Sequence, residues 1–256
     1  MMYNDNHSRK TEIIAHRGAS WDAPENTLTA IRRGWEYGAD SVEIDVHCAG
    51  DGRIMVIHDP TTERTTGTNL TVRTTPSTEL RTLDAGALKS PEYAGERIPF
   101  LEEVLAELPE GKGIIIEIKC GAEILPPLRE LLGEGGYVSR MVIMSFDPGT
   151  AVASKRFMPQ FPVFWLISAP KRFLTGTPLP HPQNRITQAL EMNLDGLSAQ
   201  YTGITAGFAE KTHAAGLKLF TWTVNDDAVA NRLAALGVDG IITDRPGWIR
   251  EKLNEG

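Results

Sequence analysis

The chain has little cysteine, no surplus of positive charge and no long apolar run, and each shortage removes a class of function. Only Cys48 and Cys120 carry thiols, each following a strand-like run, so both are expected as small reduced residues rather than parts of a disulfide framework. Lys and Arg number 26 against 33 Asp and Glu, a formal net charge of −7, and no basic run is longer than a pair such as Arg32-Arg33 or Lys171-Arg172. The basic stripe of a nucleic-acid binder is therefore missing. No apolar segment approaches the roughly 18 residues of a membrane span. The polar start, residues 1–10, lacks the apolar region of a secretory signal. A cytoplasmic protein with no nucleic-acid partner and no stable membrane anchor is expected.

What is present is an ordinary globular composition, 41% hydrophobic and 23% charged over 256 residues, which excludes a disordered or low-complexity chain. Eight strand-like runs alternate with helical stretches, at residues 12–18, 41–48, 113–119, 140–146, 162–168, 195–201, 217–225 and 239–245. Such alternation implies right-handed crossovers and a parallel sheet. Eight units over this length predict an α/β fold of the closed (β/α)8 TIM-barrel type, a single domain over 1–256. Gly38-Ala39-Asp40, Leu194-Asp195-Gly196 and Gly237-Val238-Asp239-Gly240 look like three copies of one helix-to-strand turn. The rhythm breaks at residues 53–99, far longer than the usual connection of about 2–6 residues. That segment reads as a small insertion after the second strand. A second long connection, residues 169–182, is rich in proline and carries Phe173-Leu174, and it predicts an ordered lip or lid beside the site.

Polar residues at the ends of otherwise apolar strands mark the chemistry, because a barrel of this kind places its site at the C-terminal ends of its strands. Glu43 and Asp45 lie two apart and share a face, as do Glu117 and Lys119, while Ile44 and Ile118 point outward to the helices. Three carboxylates thus converge, and two unit charges 4 Å apart repel by about 4 kcal/mol at an effective dielectric of 20. A hard divalent cation relieves this; the competing reading is a metal-free network with Arg17 and Lys119. His16 and His58, at strand tips, form a candidate general acid–base pair. Arg17 and Lys119 suit an anionic, phosphate-bearing substrate. Together these groups point to phosphoryl transfer. Asn26 or Thr27 is expected to cap the first helix, and Glu25 is either a further acidic partner of the site or a helix N-terminal charge. His7, His47, His181 and His213 read as structural, as do Trp21, Trp35, Trp165 and Trp248.

The ordered set HRG (16–18), PENT (24–27), VEIDVH (42–47), HD (58–59), EIK (117–119) and TWTVN (221–225) resembles the glycerophosphodiester phosphodiesterase family over residues 12–250. The resemblance implies a (β/α)8 barrel and hydrolysis of a small glycerophosphodiester to glycerol 3-phosphate and an alcohol. It implies one divalent cation, Mg2+ or Ca2+, held by Glu43, Asp45 and Glu117, with His16 as base and His58 as acid, or the reverse. Arg17 and Lys119 would hold the phosphate and Trp222 would wall the glycerol. Residues 47–52 depart from the family pattern, where many relatives have a Thr, in what reads as a hairpin. The alternatives are a phospholipase D-like or lysophospholipase D-like hydrolase of lipid phosphodiesters, a metal amidohydrolase barrel (disfavoured, since the first strand lacks His-x-His), and a non-enzymatic phosphate-binding barrel. The released alcohol and the oligomeric state stay open.

Overall fold

A computed structural model describes residues 11–133 and 138–255. The expectations for residues 1–10, His7 included, lie outside the described residues. Eight parallel strands close a barrel: β1 (Glu12–His16), β2 (Ser41–Cys48), β4 (Gly113–Ile118), β5 (Met141–Ser145), β6 (Val163–Ile167), β7 (Gly196–Gln200), β8 (Lys218–Trp222) and β9 (Gly240–Thr243). Each pairs with its sequence neighbour in the ring, and β1 pairs with both β2 and β9, which closes it. The extra strand β3 (Ile54–Val56) runs antiparallel to the end of β2. It belongs to the hairpin expected at residues 47–52, turned by Gly52 at φ 84°.

Two apolar layers follow from the two-residue period of the strands. Ile13, Val42, Ile44, Ile114, Ile116 and Ile118 face outward into the layer beneath the helices. Ile14, Ile115, Met144, Phe164, Leu166, Phe220 and Ile242 fill the barrel interior. On β1, β2 and β4 the inward series then turns polar toward the C-terminal end. Apolar filling below and polar groups above place the site at one rim.

The strands stop short of their sequence-based ends for identifiable reasons. The first ends at His16 because Arg17 and Gly18 take φ 55° and 82°, outside any strand. A Cβ on Gly18 would lie 2.3 Å from the Ala30 carbonyl carbon, so only glycine fits that bend. The seventh expected strand ends at Trp222, and beyond it Asn225 accepts from the Thr243 hydroxyl and the Asp244 N–H. Helices then start from side-chain caps at the same rim. Thr27 accepts from the Ala30 N–H, Asp147 from Thr150, Thr205 from Phe208 and Asp226 from Val229, each cap worth about 1 kcal/mol.

The insertion has short helices at Glu63–Thr66 and Ser77–Leu80 and an apolar cluster of its own that includes Met55, Ile57, Val72, Leu80 and Ile98. It clasps the first β–α loop: Lys89 Nζ donates to the Ser20 and Trp21 carbonyls at 2.9 Å, and Tyr93 Oη to the Asp22 carbonyl at 2.7 Å. Among the described residues no helix is long and apolar enough to cross a membrane.

Candidate active site

Glu43, Asp45 and Glu117 meet at the C-terminal rim, each offering an oxygen within 4.8 Å of the others'. They are 1%, 0% and 6% exposed, a burial that carboxylates rarely tolerate unpaired. Register explains the meeting: Asp45 lies opposite Glu117 on the paired strands β2 and β4, and Glu43 opposite His16 on β1. The metal-free network foreseen as the competing reading is part of the arrangement. Arg17 Nε lies 3.1 Å from Asp45 Oδ2, and Lys119 Nζ lies 3.1 Å from Asp45 Oδ1 and also pairs with Glu117. Two cations do not serve three carboxylates, however. Glu43 Oε2 accepts the Arg17 N–H at 3.0 Å, but its Oε1 has no hydrogen-bond partner among the described residues.

The electrostatics record the mismatch. Burial, then Asp45 and Glu117, push the Glu43 carboxyl well above its usual range. Burial, then Asp45, push Glu117 up to about 7. Burial acts on Asp45 too, but Lys119 and Arg17 outweigh it and hold that carboxyl low. The donor set, hard, anionic and with an unpartnered oxygen, fits a divalent cation.

Local strain aims these groups. Arg17 and Asn26 both adopt left-handed backbone, at φ 55° and 57°, each costing on the order of 1 kcal/mol. The Asn26 N–H donates to the Arg17 carbonyl at 3.0 Å, and its side chain bridges Asp45, donating to Oδ2 at 2.8 Å and accepting the backbone N–H at 3.2 Å. Asn26 thus bolts the first loop to β2, and Thr27 is the cap. Glu25 stands outside the carboxylate cluster. It accepts from Arg17 at 2.9 Å and from Arg64 of the insertion at 2.7 and 2.8 Å, so it orients the arginine.

The two histidines stand in matched pairs that the sequence reading missed. His16 Nδ1 lies 2.6 Å from Asp244 Oδ1, and His58 Nδ1 lies 2.5 Å from Asp59 Oδ1. Despite opposing burial, Asp244 is held near 2 by His16, Asn225 and Ser20. Asp59 is held near 2 chiefly by Arg64, with His58 adding to the effect. Both aspartates are ionised at neutral pH and can only accept. Each Nδ1 therefore donates, which leaves the lone pair on each Nε2. Burial, aided by Arg17 and Lys119, lowers the basicity of His58 despite Asp45. Asp244 and Asn225, polar residues just past strand ends, answer to the same criterion that found Glu43 and His16.

Trp222 is half-buried, donates Nε1–H to the Ser198 carbonyl at 3.0 Å and meets Phe146 edge-on at 5.3 Å. Phe146, unforeseen, also carries Lys119 Nζ 5.7 Å over its ring. His47, His181 and His213 contact the His58 carbonyl, the Gln200 carbonyl and Asp239 respectively, as structural residues do. Trp35 and Trp165 are buried, but Trp21 is not the packing residue expected. It is 56% exposed and lines, with His16, Arg17, Ser20, Glu25, Lys89 and Asp244, a polar cleft of about 410 Å³. A larger cavity of about 570 Å³, lined by Glu12, Phe164, Lys218 and Phe220 among others, opens at the strands' opposite ends and holds none of these groups.

The comparisons agree with this geometry. The profile of the Glycerophosphoryl diester phosphodiesterase family matches residues 16–248. The chain is 36% identical over 252 residues to a glycerophosphodiester phosphodiesterase of Caldanaerobacter subterraneus subsp. tengcongensis, covering 96% of this chain and 99% of that one. It is 31% identical to a glycerophosphodiester phosphodiesterase of Bacillus altitudinis, covering 92% and 95%. Among solved structures it superposes with TM-score 0.84 and 30% identity on an Oleispira antarctica phosphodiesterase in complex with the product sn-glycerol-3-phosphate, over 95% and 96% of the two chains. The chain belongs to the glycerophosphoryl diester phosphodiesterase family and is a phosphoric diester hydrolase.

Proposed function

We propose that the chain hydrolyses small glycerophosphodiesters to glycerol 3-phosphate and an alcohol, with Glu43, Asp45 and Glu117 holding one divalent cation, Mg2+ or Ca2+. The observation that carries this reading is the pair of Asp-oriented imidazoles, His16–Asp244 and His58–Asp59, beside three buried carboxylates with an unpartnered oxygen. When bound, such a cation neutralises phosphate charge and polarises the phosphorus for attack. Arg17 and Lys119 bind the phosphate, and Trp222 with Phe146 walls the glycerol. His58, kept neutral by burial, accepts the proton of the attacking oxygen, which is either water or the substrate's own 2-hydroxyl; the latter forms a cyclic phosphate that water then opens to glycerol 3-phosphate. His16, oriented by Asp244, protonates the leaving alcohol. This order exchanges the two roles as first named, and its physical reason is that burial favours the neutral imidazole of His58.

The cleft beside His16 is polar, which favours a small hydroxylated or charged head group over an acyl chain. The insertion supplies His58, Asp59 and Arg64, so barrel and insertion work as one catalytic domain. Two free thiols, Cys48 and Cys120, suit a cytoplasmic setting.

The test is release of glycerol 3-phosphate from glycerophosphocholine, glycerophosphoethanolamine and a lysolipid, each with Mg2+ or Ca2+. Turnover of the small diesters that chelator abolishes is expected, with His16→Ala and His58→Ala each slower by on the order of 10²–10⁴-fold. Near-normal turnover in both variants would remove the acid–base assignment, and full activity in excess chelator would remove the cation.

A further inference from the structure

We infer that the hairpin following β6 is a docking element for an anionic lipid surface. Residues 169–182 form an ordered structure: Lys171 and Pro178 pair as an antiparallel bridge, Arg172 N–H donates to the Thr177 carbonyl at 2.8 Å, and Leu179 N–H donates to the Pro170 carbonyl at 2.7 Å. The Gly176 N–H closes the turn on the Arg172 carbonyl at 2.9 Å, with Gly176 at φ 66°. This hydrogen-bonded turn presents Phe173 and Leu174 at 98% and 89% exposure, more than any other large apolar side chain among the described residues. The backbone bonds of the hairpin fix the turn that carries the exposed pair.

The charge around this tip runs against that of the chain. The net charge is −7, yet there is no acidic residue between Asp147 and Glu191. Lys171 and Arg172, both exposed, directly precede the apolar pair. An apolar wedge with a cationic collar matches a surface that is negatively charged at its face and apolar beneath. A second copy of the chain fits it poorly. A two-fold contact would set Lys171 and Arg172 against their own copies, and two side chains fall far short of the roughly 800 Å² per partner of a stable interface. The hairpin leaves the C-terminal end of β6, the rim that also carries the carboxylates, so docking there turns the site toward the lipid. The inference is independent of which phosphodiester the site cleaves.

The experiment is co-sedimentation of the full chain with vesicles of phosphatidylcholine and phosphatidylglycerol in equal parts, and with phosphatidylcholine alone. Binding to the mixed vesicles that weakens with salt is expected, with little binding to the neutral ones. The double variant Phe173→Ser/Leu174→Ser loses roughly tenfold in partition for each apolar side chain removed. Lys171→Gln/Arg172→Gln binds more weakly at low salt and loses most of the salt dependence. Turnover of soluble glycerophosphocholine stays unchanged in both variants, which separates lost docking from lost folding. The inference is overturned if the unaltered chain stays in the supernatant with mixed vesicles, or if the Ser double variant binds as well as the parent. It is overturned equally if ultracentrifugation shows a dimer that the Ser double variant abolishes, which would make a second copy the partner.

Discussion

Both ends of the barrel are rich in aspartate and glutamate, and the two ends treat them oppositely. At the N-terminal end, Asp40, Asp195 and Asp239 each stand just before a strand. Each accepts the backbone N–H of a neighbouring strand, from Ile13, Val163 and Leu219 at 2.9, 2.8 and 2.9 Å. Each also pairs with a cation: Arg250, Lys155 and Lys218 respectively. The three similar turns in the sequence are thus three copies of one clasp. At the C-terminal end, Glu43, Asp45 and Glu117 crowd together, share two cations and leave an oxygen unpartnered. One end uses its carboxylates to hold strands together; the other leaves them crowded at the rim where barrels of this architecture carry their active sites.

The sharpest way to break that contrast is Glu43→Gln. The variant keeps the shape and removes the charge, and turnover should fall by on the order of 10³-fold, as loss of metal-centred charge stabilisation implies. Its thermal midpoint in chelator should hold or rise, because a buried like-charge repulsion has gone. A midpoint that drops sharply would mean that Glu43 is structural, like the clasps.

The opposite behaviour is expected at the other end. Asp195→Ala removes the acceptor of the Val163 N–H and the partner of Lys155. It should cost about 1–3 kcal/mol in denaturant unfolding with kcat unchanged. Asp195→Asn, which keeps an acceptor oxygen, should recover part of the loss.

The effect confined to the narrowest range of conditions is the acid limb of stability. Asp244 is depressed from 3.8 to about 2, so between those values the unfolded chain binds a proton that the folded chain does not. Its stabilisation is complete above pH 3.8 and is lost as pH falls toward 2, roughly 2 kcal/mol in all. Asp244→Asn should flatten that part of the pH–stability curve; an unchanged slope would show that the Asp244 carboxylate is not depressed in the folded chain.

Much of this was legible in the residues. Period-two apolar runs bounded by helix caps gave the staves to within a few residues, and Glu43/Asp45 with Glu117/Lys119 declared a shared face by spacing alone. Asp244 and Asn26 escaped because their roles depend on groups far away in the chain, whereas Asp59, next to its histidine in the HD pair, was within reach of a local reading. Asp244 and His16 are 228 residues apart and meet only because β9 pairs with β1. Asn26 looked like a helix cap because a polar side chain before a helix usually is one, and only its left-handed backbone sends it to Asp45 instead.

The sequence by itself determined the alternating elements, the carboxylates that share a face, and the membership of a phosphodiesterase family, because each is written in local spacing and short motifs. Tertiary structure alone decided that Asp244 orients His16, that the insertion sends Arg64 to Glu25, and that Glu43 keeps an unpartnered oxygen. Those outcomes follow from ring closure and strand register, which bring together groups that no local pattern connects.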